Sequence, residues 1–228
     1  MRFILGIDTA GPRGSIALAR DGEGSEPVRL PEGGHSSGLA PAIERLLAGG
    51  GLRVADLAGI AVSAGPGSFT GLRIGLAWAK GASLGAGIPL FMIPSHDAAA
   101  HAHRRSAPRF ATLTQGERGH VMAALWDGCV EEGDDRARLL WGPEVVPEED
   151  VLDRLRERAG ADVPVAAATE ALEEWVLDLG GTTLPAVPLG PAVAKLGAVA
   201  LAAGAGADLL EAAPLYGRAP NARKPGAR

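Results

Sequence analysis

The stretch Ser63-Ala64-Gly65-Pro66-Gly67-Ser68-Phe69-Thr70-Gly71-Leu72-Arg73-Ile74-Gly75 decides how this sequence is read. Residues 57–63 alternate small and branched side chains and predict a buried strand; residues 68–84 predict a helix. A glycine-rich loop between the two first reads as a phosphate cradle, because a helix N-terminus offers free N–H groups and the positive end of its dipole. Pro66 has no N–H to offer. The glycines fall as Gly-x-Gly-x-x-x-Gly, which is neither a dinucleotide fingerprint nor a P-loop, and no Lys-Ser or Lys-Thr pair stands at P-loop spacing.

The spacing by four is more informative. Gly67, Gly71, Gly75, Ala79, Ser83 and Gly87 fall on one helical face and expose nearly bare backbone. Interior glycine costs up to about 1 kcal/mol relative to alanine, so Gly71, Gly75 and Gly81 together cost roughly 2–3 kcal/mol. Close packing is the expected compensation. Only Arg73 and Lys80 are charged between Gly67 and Gly87, so the helix is apolar nearly all round and is expected to be buried on several sides. Two arrangements fit: a central core helix, or a helix covered on one side by its own sheet and on the other by a partner.

Working outward, residues 3–19 read as a hairpin turning at Gly11-Pro12, and Val28 to Leu30 as a third strand. Leu39, Ile43, Leu46 and Leu47 mark a helix face that Gly49-Gly50-Gly51 stops. Residues 88–93 are a further strand. A second half begins after Pro108, with strands over 110–114, 121–126 and 139–141, a helix over 148–158 and a strand over 163–168. Thr169 caps a helix over 170–179, and an alanine-rich helix covers 191–203. The pattern predicts two α/β lobes, residues 1–108 and 109–228.

The chain has 228 residues, 46% hydrophobic and 21% charged, an ordinary globular balance able to bury a core. Its net charge of −5 is unlike that of a domain that binds RNA unaided. The one basic run comes after Glu211, where Arg218, Arg223, Lys224 and Arg228 stand without an acid; it is a candidate tRNA contact or a frayed, solvated tail. A single cysteine, Cys129, fits a reducing, cytoplasmic setting. No signal peptide and no membrane span are expected.

The segment from Gly65 to Gly75 resembles the signature of the bacterial TsaB (YeaZ) family. The opening Ile-Leu-Gly-Ile-Asp8-Thr9-Ala10, the His35-Ser36 pair before Leu39 and Pro41, and Ala213-Pro214-Leu215-Tyr216-x-Arg218 resemble other family elements in order. The resemblance implies a two-lobed, actin-like and hexokinase-like ATPase fold. It also implies a role in making threonylcarbamoyladenosine at position 37 of tRNA. There the chain is a non-catalytic partner of the transferase TsaD, joined by the ATPase TsaE, and it homodimerises in isolation through the same helical face. On this reading the interface comprises Gly67, Phe69, Gly71, Leu72, Gly75, Leu76, Ala79 and Ser83 with Leu39 and Ile43. The tRNA is reached through the complex.

Residues for independent chemistry are sparse. Asp8-Thr9 is placed like the first phosphate loop of this fold class and is read as vestigial. Ala166-Ala167-Ala168-Thr169-Glu170 stands where a glycine-rich nucleotide loop is expected, and its methyl groups oppose close approach of a phosphate or ribose. No tightly bound cofactor is therefore expected for the chain alone, with ATP or ADP left to the assembled complex. The alternative is an ATP-dependent small-molecule kinase of the same fold class; a metalloprotease is the third option. His101 and His103 are two residues apart, do not share a helix face, and read as part of a solvated loop, so no metal site is expected. Gln115, Glu117 and His120 stand where the family usually has Asp-x-Arg and Gly-Glu-Val, in a turn expected to lie between the lobes.

Overall fold

The computed structural model describes residues 2–21, 23–31, 35–116, 118–128 and 136–216. Cys129, Glu117, Arg218, Arg223, Lys224 and Arg228 lie outside them.

The first sheet is built by β1 (Phe3–Asp8), β2 (Ser15–Arg20), the two-residue strands β3 (Glu23–Gly24) and β4 (Val28–Arg29), then β5 (Gly59–Gly65) and β6 (Leu90–Pro94). Its order is β3-β2-β1-β5-β6, with β4 also on β2. β1 and β2 are antiparallel, with Phe3 opposite Arg20 and Asp8 opposite Ser15. β1, β5 and β6 are parallel, joined by helical crossovers. The second sheet has β7 (Arg109–Gln115), β8 (His120–Asp127), β9 (Arg138–Pro147) and β10 (Val165–Ala167) in the order β10-β7-β8-β9. There too an antiparallel meander is flanked by a strand parallel to its first member. The two lobes thus share a topology that no residue-level repeat announces.

The helices are α1 (His35–Gly49), α2 (Phe69–Ala86), α3 (Ser95–His103), α4 (Val151–Ala159), α5 (Glu170–Asp178) and α6 (Gly190–Ala202). Strand alternation sorts the first sheet between two cores. Leu5, Ile7, Ile60 and Val62 face α1 and α2, meeting Leu39, Ile43, Leu76 and Ala79. Ile4, Ala61 and Phe91 face the other way, toward Ala98 of α3 and Ala192, Val193 and Ala194 of α6. Gly6 and Gly197 allow α6 its approach: a methyl group on Gly6 would overlap Gly190 and Ala194, and one on Gly197 would overlap Ala61.

This placement corrects the expected division at residue 108. Helix α6 belongs to the first lobe although the sequence order assigns it to the second. Its alanine- and glycine-rich face fits the shallow surface of β1 and β5, which longer side chains would hold away. Residues 207–216 also return to the first lobe: Ala207 N donates to Leu90 O (2.8 Å) and Leu215 N to Ala64 O (2.6 Å).

Candidate functional site

Helix α2 begins at a capped end. Ser68 Oγ accepts from Gly71 N (3.2 Å), and Ser68 N donates to Ala10 O (2.7 Å). Donors that a phosphate would use are thus engaged by the chain itself. The helix closes at Gly87, whose φ of +66° suits a residue without a Cβ.

The ridge that the sequence offered as an interface points inward. A methyl group on Gly67 would overlap the Ala10 carbonyl oxygen; one on Gly71, the Thr9 carbonyl oxygen; one on Gly75, Thr9 Oγ1. Leu72, Leu76, Ala79 and Ser83 are buried with Gly71 and Gly75. Leu39 and Ile43 of α1 are 1% exposed in the same core. At Gly71, Leu72, Gly75, Leu76, Ala79, Ser83, Leu39 and Ile43 the expected interface is buried within the chain itself, and the Asp8-Thr9-Ala10 turn and Val62 offset the glycine cost. Phe69, 51% exposed, and Gly67 are the members of that set that lie at the surface.

The outward face of α2 is a second row with the same period: Phe69, Arg73, Ala77, Gly81 and Gly85, with Leu84 beside it. Gly81 and Gly85 have nothing within 4 Å of an added Cβ, and Leu84 is 74% exposed. At the N-terminal end of this face the Arg73 guanidinium lies 3.8 Å over the Phe69 ring centroid. Its Nε donates to the Tyr216 hydroxyl (3.0 Å), and the Phe69 and Tyr216 rings are 5.1 Å apart. The result is a rigid aromatic–guanidinium cluster at the rim of an otherwise low, small-residue helix face.

The second feature is the cleft between the lobes, a cavity of about 70 Å³ lined by Asp8, Arg13, Pro66, Ser95, His103, Thr112–Thr114 and Ala166–Ala168. Asp8 is buried, accepting from Ser63 Oγ (2.7 Å) and Ala10 N (3.1 Å), so it organises the turn after β1. Thr9 points to α2 instead. Where two phosphate loops would face each other, the lobes touch. Arg13 pairs with Glu173 (2.9 Å) and with Glu170 (3.7 Å), both on α5. Gly11 abuts the Ala168 carbonyl. Thr169 Oγ1 caps α5 by accepting from Leu172 N (3.2 Å). The helix end that would bind an anion therefore carries two acids and a side-chain cap.

The histidines depart from the expected solvated loop. His96, His101 and His103 are buried on α3, packed between the first lobe and β7. Trp126 Nε1 can only donate, and does so to Thr112 Oγ1 (2.9 Å). His96 is hydrogen-bonded through Nδ1 to Thr112 Oγ1 (2.7 Å) and through Nε2 to Thr114 Oγ1 (3.3 Å). Burial holds His96 at about 4, and His103 below its ordinary value. Neutral imidazole is thus a structural link between α3 and β7. The turn at Gln115-Gly116 proves to be the β7–β8 hairpin of the second lobe; Gly116 N donates to His120 O (3.2 Å). Among the described residues no cluster of three or more His, Cys, Asp or Glu is placed to hold a metal ion. No helix among them is long and apolar enough to cross a membrane.

Comparison with known proteins sets this geometry in a family. The family profile described as "TsaD: tRNA N6-adenosine threonylcarbamoyltransferase" matches residues 28–175. The tRNA threonylcarbamoyladenosine biosynthesis protein TsaB of Escherichia coli is 30% identical over 173 residues, covering 74% of this chain and 72% of that protein. The chain belongs to the TsaB (YeaZ) family. A solved structure from Pseudomonas aeruginosa, described as an uncharacterized protein with similarity to peptidase YeaZ, superposes with a TM-score of 0.78 at 23% identity. It covers 96% of this chain and 100% of its own. The fold, two mixed sheets flanked by helices, is accordingly that of YeaZ. The tRNA N6-adenosine threonylcarbamoyltransferase of Thermus thermophilus is 29% identical over 223 residues, covering 82% of this chain and 67% of the enzyme. TsaB-family chains and the transferase thus share a recognisable sequence over most of this chain's length.

Proposed function

We propose that this chain serves tRNA threonylcarbamoyladenosine formation as a non-catalytic partner of a TsaD-type transferase. The observation that carries the reading is the outward face of α2, where a Phe69–Arg73–Tyr216 cluster borders exposed Ala77, Gly81, Leu84 and Gly85. Small residues let a second helix approach closely, and an aromatic–arginine cluster supplies the kind of anchor that dominates interface energetics. The transferase is the favoured occupant because its sequence is related to this chain's over most of the length, so it offers a helix pair of matching geometry. A second copy of this chain on the same face accounts for a homodimer in isolation. A TsaE-type ATPase and tRNA join through the complex.

The cleft supports the non-catalytic half of the reading. Arg13, Glu170 and Glu173 bring the lobes together where nucleotide phosphates would lie, and Ala166–Ala168 crowd the opposing wall. The chain alone therefore does not hold ATP, and any ATP or ADP is bound where both subunits contribute. Co-purification with the transferase tests the reading: wild-type chain is expected to co-elute with it, and Gly81→Leu is not. Calorimetry in which the isolated chain binds ATP at micromolar concentration would support a small-molecule kinase in its place.

A further inference from the structure

Helix α3 borders two cavities. Its Ser95, Ala99 and His103 line the cleft described above, and its Asp97, Ala100 and His101 line a second cavity on another face. The second is the larger, about 360 Å³ against about 70 Å³. Leu196 of α6, in the first lobe, forms part of its wall. Trp126 and Leu139, opposite each other on β8 and β9 of the second lobe, form another part. Protein interiors leave few voids larger than a water molecule, and a space of this size is in the range of small-molecule sites.

The lining is graded from mouth to base. Asp97 and Arg136 are exposed and stand at the mouth, whereas Ala100, His101 and Trp126 are buried and form the base. The indole N–H of Trp126 is engaged by Thr112 Oγ1, so the ring meets the cavity as an apolar surface. Opposite charges at one mouth select the class of ligand. A simple cation would meet Arg136, a simple anion would meet Asp97, and a neutral apolar molecule would use neither. A zwitterion with an apolar side chain answers both charges and the apolar base. A guanidinium has five donors, so Arg136 can take a carboxylate in addition to the contacts it makes within the chain.

We infer that this cavity binds a free α-amino acid with a large apolar side chain. Its ammonium group sits at Asp97, its carboxylate at Arg136, and its side chain against Trp126, Leu139 and Leu196. Such a ligand touches both lobes at once and lies across the first sheet from α2, on the side of α6. It therefore fastens the lobes to each other, and its binding raises the melting temperature of the chain.

Titration calorimetry of the whole chain with L-leucine, L-phenylalanine and L-tryptophan tests the site. At least one is expected to bind saturably, one per chain, and glycine, with the same charges and no side chain, is expected not to. The N-acetyl and amide forms of the tightest binder each lack one charge, and each is expected to bind about 10- to 150-fold more weakly. Asp97→Asn and Arg136→Gln are expected to lose as much. Asp97→Asn no longer discriminates against the N-acetyl form, and Arg136→Gln no longer discriminates against the amide. Both side chains are exposed, so the melting temperatures without ligand are expected to stay close to wild type. Should one variant prove unstable, the other variant and the capped ligands on the wild-type chain decide. Saturable binding by none of the three amino acids overturns the inference. So do equal affinities for the capped forms, unchanged affinity in both variants, or glycine binding as tightly as the rest. No transferase is present, so the outcome is independent of the docking face on α2.

Discussion

Two glycines on one helix, Gly75 and Gly81, are expected to answer the same substitution in opposite ways. Gly75 faces Thr9 Oγ1 and Val62, and a Cβ there already overlaps the threonine. Gly75→Leu must push α2 off the β1 turn, an overpacking cost of about 1–3 kcal/mol or more. At roughly 2–4 °C per kcal/mol for a chain of this size, the melting temperature falls by several degrees. Gly81 is solvent-facing, with nothing within 4 Å of the new Cβ. Gly81→Leu replaces a poor helix former by a good one and gains about 0.5–1 kcal/mol, raising the melting temperature by about 1–4 °C. Yet the branched side chain fills the low part of the docking face. Association with the transferase is expected to weaken by about 1–3 kcal/mol, some five- to 150-fold. Differential scanning calorimetry of the isolated chain and titration calorimetry with the transferase read the two effects separately. A stabilised Gly81→Leu protein that binds the transferase with unchanged affinity would refute the assignment of the outward face. A Gly75→Leu protein as stable as wild type would refute the inward packing of the glycine ridge.

Phe69→Ala is expected to cost the fold little, since the ring is half exposed, and to weaken the complex by about 2 kcal/mol or more if the cluster is an anchor; titration calorimetry reads this. Arg13→Ala removes a partly buried ion pair between the lobes and is expected to lower stability by under about 1 kcal/mol, more at low salt than at high, in urea melts. For His96 the folded value of about 4 lies below that of an unfolded histidine. The unfolded state therefore binds the proton first, and the stability contributed by neutral His96 is full above about pH 6.5 and is lost as pH falls toward 4. Up to about 3 kcal/mol is at stake, and urea melts at about pH 7 and pH 5 are expected to differ by about 2 kcal/mol more for wild type than for His96→Gln.

Legibility in the sequence differs from element to element. The hairpin at residues 3–19, the strand before Gly65 and the helix after it are all present, because alternation and four-residue spacing report burial directly. The direction of the α2 face was not legible. Gly67-Gly71-Gly75-Ala79-Ser83 and Phe69-Arg73-Ala77-Gly81-Gly85 share one period, offset by two residues, and both are rich in small side chains. Only the approach of Thr9 and Ala10, some sixty residues earlier in the chain, decides which row is covered. The presence of Phe69 and Arg73 in the second row was the available hint, since such side chains seldom stack against a sheet's interior turn. The return of α6 to the first lobe was invisible for the same reason: Gly6 and Gly197 are matched to each other's elements only in three dimensions. The spacing of His101 and His103 argues against a shared metal and is silent on burial, which is why these two histidines read as solvated. Their alanine-rich surroundings, Ala98–Ala100 and Ala102, were the signal of a buried helix. The Arg13–Glu173 pair spans 160 residues and has no local signature.

The central claim is that this chain enables a transferase without performing the transfer. Purified transferase, tRNA and a threonylcarbamoyl donor, assayed for threonylcarbamoyladenosine with and without this chain, test it most directly. The account predicts no product from this chain alone, strong product from the pair, and a loss of that stimulation with Gly81→Leu that higher concentration restores. Product formed by this chain without the transferase, or by the transferase equally well without this chain, would contradict it.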